Sequence, residues 1–237
     1  MTTVSRAAPE SSASPAPETE RAPLLDARGI AKAWGARRVL AGVELSVGRG
    51  TLVAITGANG TGKTTLLRIC AGLIAADAGR VGLDGLDPHR DRAAYQRRVG
   101  FLAAGDRGLY ARLTTRRHLD LWARVSLLGR RRPAAIERTV ADLDLDPLLD
   151  QRLDRLSMGQ RQRVRLAMAF LHEPDLVLLD EPLNSLDDHG RELLVGALAA
   201  LTGRGGAAVC CSPAAAAGIP FDRTLTLDRG RLTERTR

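Results

Sequence analysis

The residues Gly57-Ala58-Asn59-Gly60-Thr61-Gly62-Lys63-Thr64-Thr65 set glycines, a lysine and hydroxyl side chains at the spacing G-x-x-x-x-G-K-[ST]. The chemistry this arrangement suits is the grip of a polyphosphate. Successive main-chain N–H groups at a helix N-terminus present fixed positive dipoles to one spot. Gly57, Gly60 and Gly62 lack a Cβ, so the chain can turn tightly and approach phosphate oxygens closely. Lys63 is then placed to reach β- and γ-phosphates, and the Thr64 hydroxyl to ligate Mg²⁺. A second candidate is Asp180-Glu181. Beside a metal, two adjacent carboxylates divide the work: the cation neutralises one while the other stays free to accept a proton. The plainer alternative for this pair is a helix or turn cap at the end of a strand.

These groups must be positioned by regular elements. Leu52-Val53-Ala54-Ile55-Thr56 reads as a buried strand and Leu66-Leu67-Arg68-Ile69-Cys70-Ala71 as a helix, the strand, turn and helix context that gives the glycine loop its meaning. Leu176-Val177-Leu178-Leu179 is apolar without alternation, which indicates a central parallel strand. Its C-terminal end, where Asp180 and Glu181 stand, is where α/β sheets place ligands. Val43, Leu45 and Val47 alternate with Glu44 and Ser46, as in a half-buried antiparallel strand, and Gly48-Arg49-Gly50 turns into the strand before the loop. Trp34 lies upstream of the loop and is either a platform for a nucleobase or a half-buried strand aromatic. Further strands are expected at Arg80 to Gly85 (hairpin-type), Val99 to Leu102 and Ala207 to Cys211, with a closing hairpin over Thr224 to Leu232. Leu113 to Val140 is largely helical, Ser157 caps a helix running to about Leu171, and Arg191 to Leu201 is helical.

Composition narrows the function. A chain of 237 residues that is 44% hydrophobic can build one sizeable core. The net charge of +8 is almost all arginine, since Lys32 and Lys63 are the only lysines; it is compatible with nucleic acid, an anionic membrane or simple solubility. Aromatic content of 3% leaves few platforms for stacking bases. The arginines at 116, 117, 124 and 130 to 132 read as solvated helix faces, and no nucleic-acid partner is expected. Cys70, Cys210 and Cys211 read as small core residues in a reducing compartment. Residues 1–23 are poor in large aliphatics and read as a disordered tail. No apolar run approaches membrane-spanning length and no hydrophobic signal opens the chain, so a soluble protein outside the usual export route is expected.

The order of the stretches carries a resemblance. Gly57 to Thr65, then Leu156-Ser157-Met158-Gly159-Gln160-Arg161, then Leu178-Leu179-Asp180-Glu181-Pro182, then Ser185-Leu186-Asp187 resembles the Walker A, signature, Walker B and D-loop series of an ABC transporter ATP-binding subunit. The resemblance runs from about Leu24 to the C-terminus and is nearest to the single-cassette subunits of multidrug, haem or polysaccharide-type exporters. It implies an α/β fold: a P-loop NTPase core of mostly parallel sheet flanked by helices, an N-terminal antiparallel β subdomain, and an α-helical signature subdomain at about 103–170, all within one nucleotide-binding domain spanning 24–237. Trp34 would stack on adenine. Lys63 and the loop from Gly57, Ala58, Asn59, Gly60, Thr61 and Gly62 to Thr65 would hold the phosphates, with Thr64 and Asp180 on Mg²⁺. Glu181 would polarise the attacking water. Ser157, Gly159 and Gln160 would reach the ATP bound to a second subunit, because such cassettes close head to tail. The implied protein is an ATPase driving export through separate transmembrane permease subunits. It would be peripheral on the cytoplasmic face of the plasma membrane, paired as a homodimer or with a different cassette.

Two functional residues of the family pattern are missing, and the signature is altered at a third position. The family's Gln at the end of the strand matching Val99 to Leu102 is absent, and Ala103-Ala104-Gly105-Asp106 stands there. The family's His after the strand matching Ala207 to Cys211 is replaced by Ser212-Pro213, and Met158 stands where the signature usually has Gly. Slow hydrolysis with intact ATP binding is therefore expected, with Asp106 a candidate substitute ligand. Two rival readings are a weakly hydrolytic regulatory cassette paired with a complete one, and a soluble cassette acting on nucleic acid or the ribosome.

Overall fold

The computed structural model describes residues 22–105, 108–126, 129–214 and 218–234. The reading of a disordered tail falls on residues 1–21 and so lies outside the described residues, apart from 22 and 23. In chain order the elements are β1 (Leu25–Trp34), β2 (Arg37–Val47), β3 (Leu52–Thr56), α1 (Lys63–Cys70), β4 (Ala78–Leu83), α2 (Arg92–Arg97), β5 (Val99–Leu102), α3 (Thr115–Val125), α4 (Arg132–Asp142), α5 (Met158–Phe170), β6 (Leu176–Asp180), α6 (Asp188–Gly203), β7 (Ala207–Cys211), β8 (Arg223–Asp228) and β9 (Arg231–Glu234).

The principal sheet has the order β5-β6-β7-β3-β8-β9. Its first five strands are parallel and β9 returns antiparallel to β8. Every residue of β3, β6 and β7 is buried, which is why their sequences run apolar without alternation. The pleat sends Val53, Ile55, Leu176, Leu178, Ala207 and Val209 into one core with α1 and the N-terminal strands. Leu52, Ala54, Val177, Leu179, Ala208 and Cys210 point into a second core beneath α5 and α6. The three cysteines are free and buried, and burial pushes the Cys70 and Cys210 thiols up to about 12, so they serve as packing groups rather than nucleophiles.

A second sheet of three strands, β2-β1-β4, is antiparallel throughout. The strand expected at Arg80 to Gly85 runs over Ala78–Leu83; its hairpin character is confined to a bridge from Leu83 to Leu86 across Asp84-Gly85, and along its length β4 pairs with β1. The two sheets are joined through charge and main chain. Arg98 binds Asp175 before β6 and Asp84 after β4, and the Ala41 N–H donates to Gly230 O at 2.8 Å.

The segment expected to be helical over Leu113 to Val140 is two helices, α3 and α4, with a short 3-10 turn at Gly129–Arg131 before α4. Trp122 Nε1 donates to Met168 O at 2.9 Å and ties α3 to α5. Helix α5 begins as expected: Ser157 Oγ accepts from Gln160 N at 3.2 Å while Gln160 Oε1 accepts from Ser157 N at 2.9 Å. It crosses β5 so tightly that a Cβ on Gly100 would meet Ala169 O at 2.1 Å. Backbone lies on both sides of this contact, so no side chain can yield. Gly100→Ala is therefore expected to destabilise the fold by about 1–3 kcal/mol, read as a lower denaturant midpoint; an unchanged midpoint would refute this crossing.

Candidate functional site

Strand β3 ends at Thr56, and the chain turns through Gly57 to Gly62 into α1. Gly57 has φ 148°, and a Cβ there would lie 2.4 Å from Leu227 O. Gly62 has φ 111°, and a Cβ there would lie 2.7 Å from Val39 Cγ1. Both positions combine a left-handed backbone with close approach, so a side chain at either would clash. Gly62 occupies the N-cap of α1 and provides no side-chain cap. The first amides of α1 are thus left without intrahelical acceptors, and they carry the positive end of the helix dipole.

Lys63 is only 6% exposed. Its ammonium donates to Gly57 O at 2.6 Å and Ala58 O at 3.0 Å. An ammonium has three protons, so one remains for an acceptor in the cleft it lines. That cleft, of about 410 Å³, is lined by Trp34, Arg37, Val39, Asn59, Gly60, Gly62, Lys63, Thr64, Thr65, Asp180 and Glu181. The structure therefore brings together most of the residues singled out in the sequence, from segments more than a hundred positions apart. Ala58 and Thr61 belong to the same loop, and Thr61 Oγ1 donates back to Ala58 O at 2.9 Å.

The two carboxylates occupy different environments. Asp180 is 2% exposed and accepts from Thr64 Oγ1 at 2.6 Å. Burial pushes its pKa above the usual carboxylate value, with the Thr64 hydrogen bond and the charges of Lys63 and Arg68 opposing that and Glu181 adding to it. Glu181 is half-buried and has φ 53°, unusual for a non-glycine. It is held there by its N–H on Cys211 O at 2.8 Å and by Asn184 Nδ2 on its Oε2 at 2.5 Å. A hydroxyl and a carboxylate at hydrogen-bond distance, facing a cleft for phosphates, form an all-oxygen donor set suited to a small hard cation such as Mg²⁺, which commonly keeps only one or two protein ligands.

Trp34 is 54% exposed at the end of β1, with Lys32 Nζ 5.0 Å from its ring centroid; Lys32 is in turn paired with Asp77 at 2.6 Å. Sequence reasoning missed Arg37, whose Nη2 donates to Gly60 O at 2.9 Å. The signal was available: a tight turn at Gly35-Ala36 makes Trp34 and Arg37 cross-strand partners. It also missed Asn184, three residues beyond Glu181.

Ser157, Gly159 and Gln160 do not line this cleft. They sit at the start of α5, with Met158 59% exposed beside them, and a Cβ on Gly159 would lie 2.7 Å from Ser185 O. Asp106 lies outside the described residues. At the end of β7, Pro213 O accepts from the Gly57 N–H at 3.4 Å and the Ser212 N–H donates to Ile55 O at 3.1 Å.

The raised pKa of Asp180 has a sign. The folded protein holds that proton more tightly than the unfolded chain, so this group's contribution to stability falls as pH rises from the ordinary carboxylate range through the raised value. Asp180→Asn is therefore expected to raise the ligand-free melting temperature near neutral pH, and to abolish any stabilisation by Mg²⁺ with nucleotide. A lower ligand-free melting temperature in calorimetry would contradict the assignment.

A family model described as ABC transporter matches residues 40–184. The sulfate/thiosulfate import ATP-binding protein CysA of Methylococcus capsulatus is 43% identical over 168 residues, covering 69% of this chain and 48% of that protein. The lipoprotein-releasing system ATP-binding protein LolD of Porphyromonas gingivalis is 35% identical over 177 residues, covering 72% of this chain and 80% of that protein. A structure described as that of an ATP binding subunit of an ABC transporter superposes with a TM-score of 0.80 at 28% identity and 90% coverage of both chains. The chain spans about half the length of several of its relatives, 48% of CysA, 59% of NatA from Bacillus subtilis and 56% of DrrA3 from Streptomyces coeruleorubidus. A glycine loop opening an uncapped helix, a buried lysine and a hydroxyl-bonded aspartate thus stand inside a matching family model and a matching fold: the chain belongs to the ABC transporter ATP-binding family.

Proposed function

We propose that this chain binds MgATP and hydrolyses it slowly, as the ATP-binding subunit of a membrane transporter. The observation that carries the proposal is the single cleft in which the buried Lys63, the Thr64–Asp180 pair, Glu181 and the exposed Trp34 all meet. The uncapped amides of α1 and the remaining Lys63 proton receive the β- and γ-phosphates. Trp34, backed on one side by Lys32, takes the base. Thr64 and Asp180 hold the cation, which when bound neutralises charge on the phosphate oxygens. Glu181, which lines the same cleft with its Oε2 held by Asn184, orients the attacking water and accepts its proton.

Ser157, Gly159 and Gln160 support dimerisation in this reading. They are displaced from their own cleft yet presented at an exposed helix start, as residues completing the site of a second cassette must be. No helix among the described residues is long and apolar enough to cross a membrane. In this reading the chain works with transmembrane permease subunits and is peripheral on the cytoplasmic face. Export is the direction proposed from the resemblance. Relatives named for sulfate import and for lipoprotein release share the cassette, consistent with a direction chosen by the spanning partner.

Slow turnover is supported by Ala103 and Ala104 at the end of β5 and by Ser212-Pro213 after β7, none of which offers a charged or amide side chain to the γ-phosphate. Each missing preorganised donor costs about 10²- to 10³-fold in rate. The same feature admits pairing with a catalytically complete cassette, which the stoichiometry of the purified assembly would reveal.

Titration calorimetry with MgATP tests the binding half, and absence of heat would remove the proposal. Steady-state phosphate release tests the other half. Glu181→Gln is expected to keep MgATP affinity while lowering kcat by about 10²-fold or more. Wild-type turnover at about 1–10 per second would refute the slow-hydrolysis reading. Trp34→Ala is expected to weaken nucleotide binding by about 1–3 kcal/mol; unaltered affinity would leave Trp34 a strand aromatic.

A further inference from the structure

We propose that Arg165, acting through Gln162, is a positioning residue that ties the outgoing end of β5 to the carboxylate end of β6, so that nucleotide in the cleft is felt at residues 103–105. The proposal rests on the nucleotide-binding reading above, and its experiment separates the two.

Arg165 lies on α5 and is 6% exposed, while Gln162, one turn earlier on the same helix face, is 5% exposed. Burying a guanidinium costs several kcal/mol unless its donors are used in good geometry. Two of them are used on a backbone and an amide oxygen at functional positions. Arg165 Nη2 donates to Ala103 O, and Nη1 donates to Gln162 Oε1 at 2.6 Å. Gln162 Nε2 in turn donates to Pro182 O at 2.9 Å. A guanidinium only donates, so Gln162 must turn its oxygen to Arg165 and its N–H to Pro182. The series of bonds therefore has one direction, from α5 out to both strands.

Its two ends straddle the carboxylates. The last pair between β5 and β6 is Leu102 with Leu179; Ala103 follows the one, Asp180 the other, and Pro182 directly follows Glu181. Ala103 and Ala104 have no polar side chain, so the main-chain oxygen of Ala103 is what a neighbour can grasp at this edge. The planar guanidinium spans both acceptors from one rigid fork, which an apolar side chain cannot do and a lysine does from a single point. When ligand draws on Asp180 and Glu181, a displacement of Pro182 passes through Gln162 and Arg165 to Ala103, as a contiguous hydrogen-bonded network permits.

The test compares wild type with Arg165→Met, Gln162→Leu and the double variant. MgATP affinity is measured by calorimetry, amide exchange at residues 99–105 and 176–184 by mass spectrometry with and without MgATP, and turnover by phosphate release. All variants are expected to bind MgATP within about threefold of wild type. In wild type, MgATP slows exchange in both segments. In Arg165→Met the slowing persists at 176–184 and is lost at 99–105. Turnover falls about tenfold with KM little changed, and the double variant is no slower than the worse single one, as expected for residues acting as a unit.

The relay is overturned if MgATP does not slow exchange at 99–105 in wild type, or slows it equally in Arg165→Met. It is also overturned if Arg165→Met raises exchange there by the same factor with and without nucleotide, the signature of mere packing, or if the single effects on kcat multiply. Wild type that binds MgATP but releases no phosphate sinks the ATPase reading alone, and the exchange comparison then decides the relay. Wild type that gives no heat with MgATP removes the nucleotide reading and the relay together. Should Arg165→Met fail to fold, Gln162→Leu carries the same comparison.

Discussion

A lysine ammonium held out of water with two neutral carbonyls as its named acceptors is the constraint on which this molecule turns. Lys63 can be buried because it sits where Gly57 and Ala58 fold their oxygens back beneath it, and that geometry exists only if β3 gives way to α1 through residues without side chains. Two neutral oxygens do not neutralise a charge. The arrangement leaves a positive centre, reinforced by the free amides of an uncapped helix, facing an open cleft. A polyanion with several oxygens is the partner that such a centre stabilises most. The order of the sheet follows from the same requirement, since β6 must lie close enough for Asp180 to meet Thr64.

The carboxylates show how position within a few ångströms separates roles. Asp180 is the last residue of a fully buried strand and is satisfied by a hydroxyl donor. Glu181 has already left the strand in a left-handed conformation and is held by a main-chain bond and by Asn184. Backbone strain of that kind persists only where surrounding contacts over-determine it. The chain leaves the strand between the two acids, so Asp180 is 2% exposed and Glu181 half-buried although both line the same cleft. Gly159, pressed against Ser185 O, places the start of α5 directly on the segment that leaves Glu181.

Family membership and geometry support each other without being the same statement. The family model covers residues 40–184, which contains the loop, the carboxylates and the start of α5 but leaves out Trp34 and Arg37. Those two come from the tip of the β1–β2 hairpin, and they belong to the site because Val39 packs on Gly62 and Arg37 bonds to Gly60. The N-terminal sheet is thus a wall of the cleft, not an accessory to it.

Much of this could be read from the chain alone. The glycine loop, the unalternating strands at Leu52 to Thr56, Leu176 to Asp180 and Ala207 to Cys211, and the reciprocal cap at Ser157 and Gln160 are set by interactions within a few residues of each other: backbone conformation, side-chain period and local hydrogen bonds. The resemblance already set Trp34, Thr64 and Asp180 around one nucleotide; what stayed open was how the remaining distant segments meet. That β4 returns to pair with β1, that Arg98 bridges Asp84 and Asp175, and that Arg165 reaches Ala103 across 62 positions depend on which surfaces meet once the cores close. A buried guanidinium and a solvated one have the same letter and the same helical period. Only packing, by removing water and supplying Ala103 and Gln162 as acceptors, decides that Arg165 is the first kind and Arg116 and Arg124 on α3 the second.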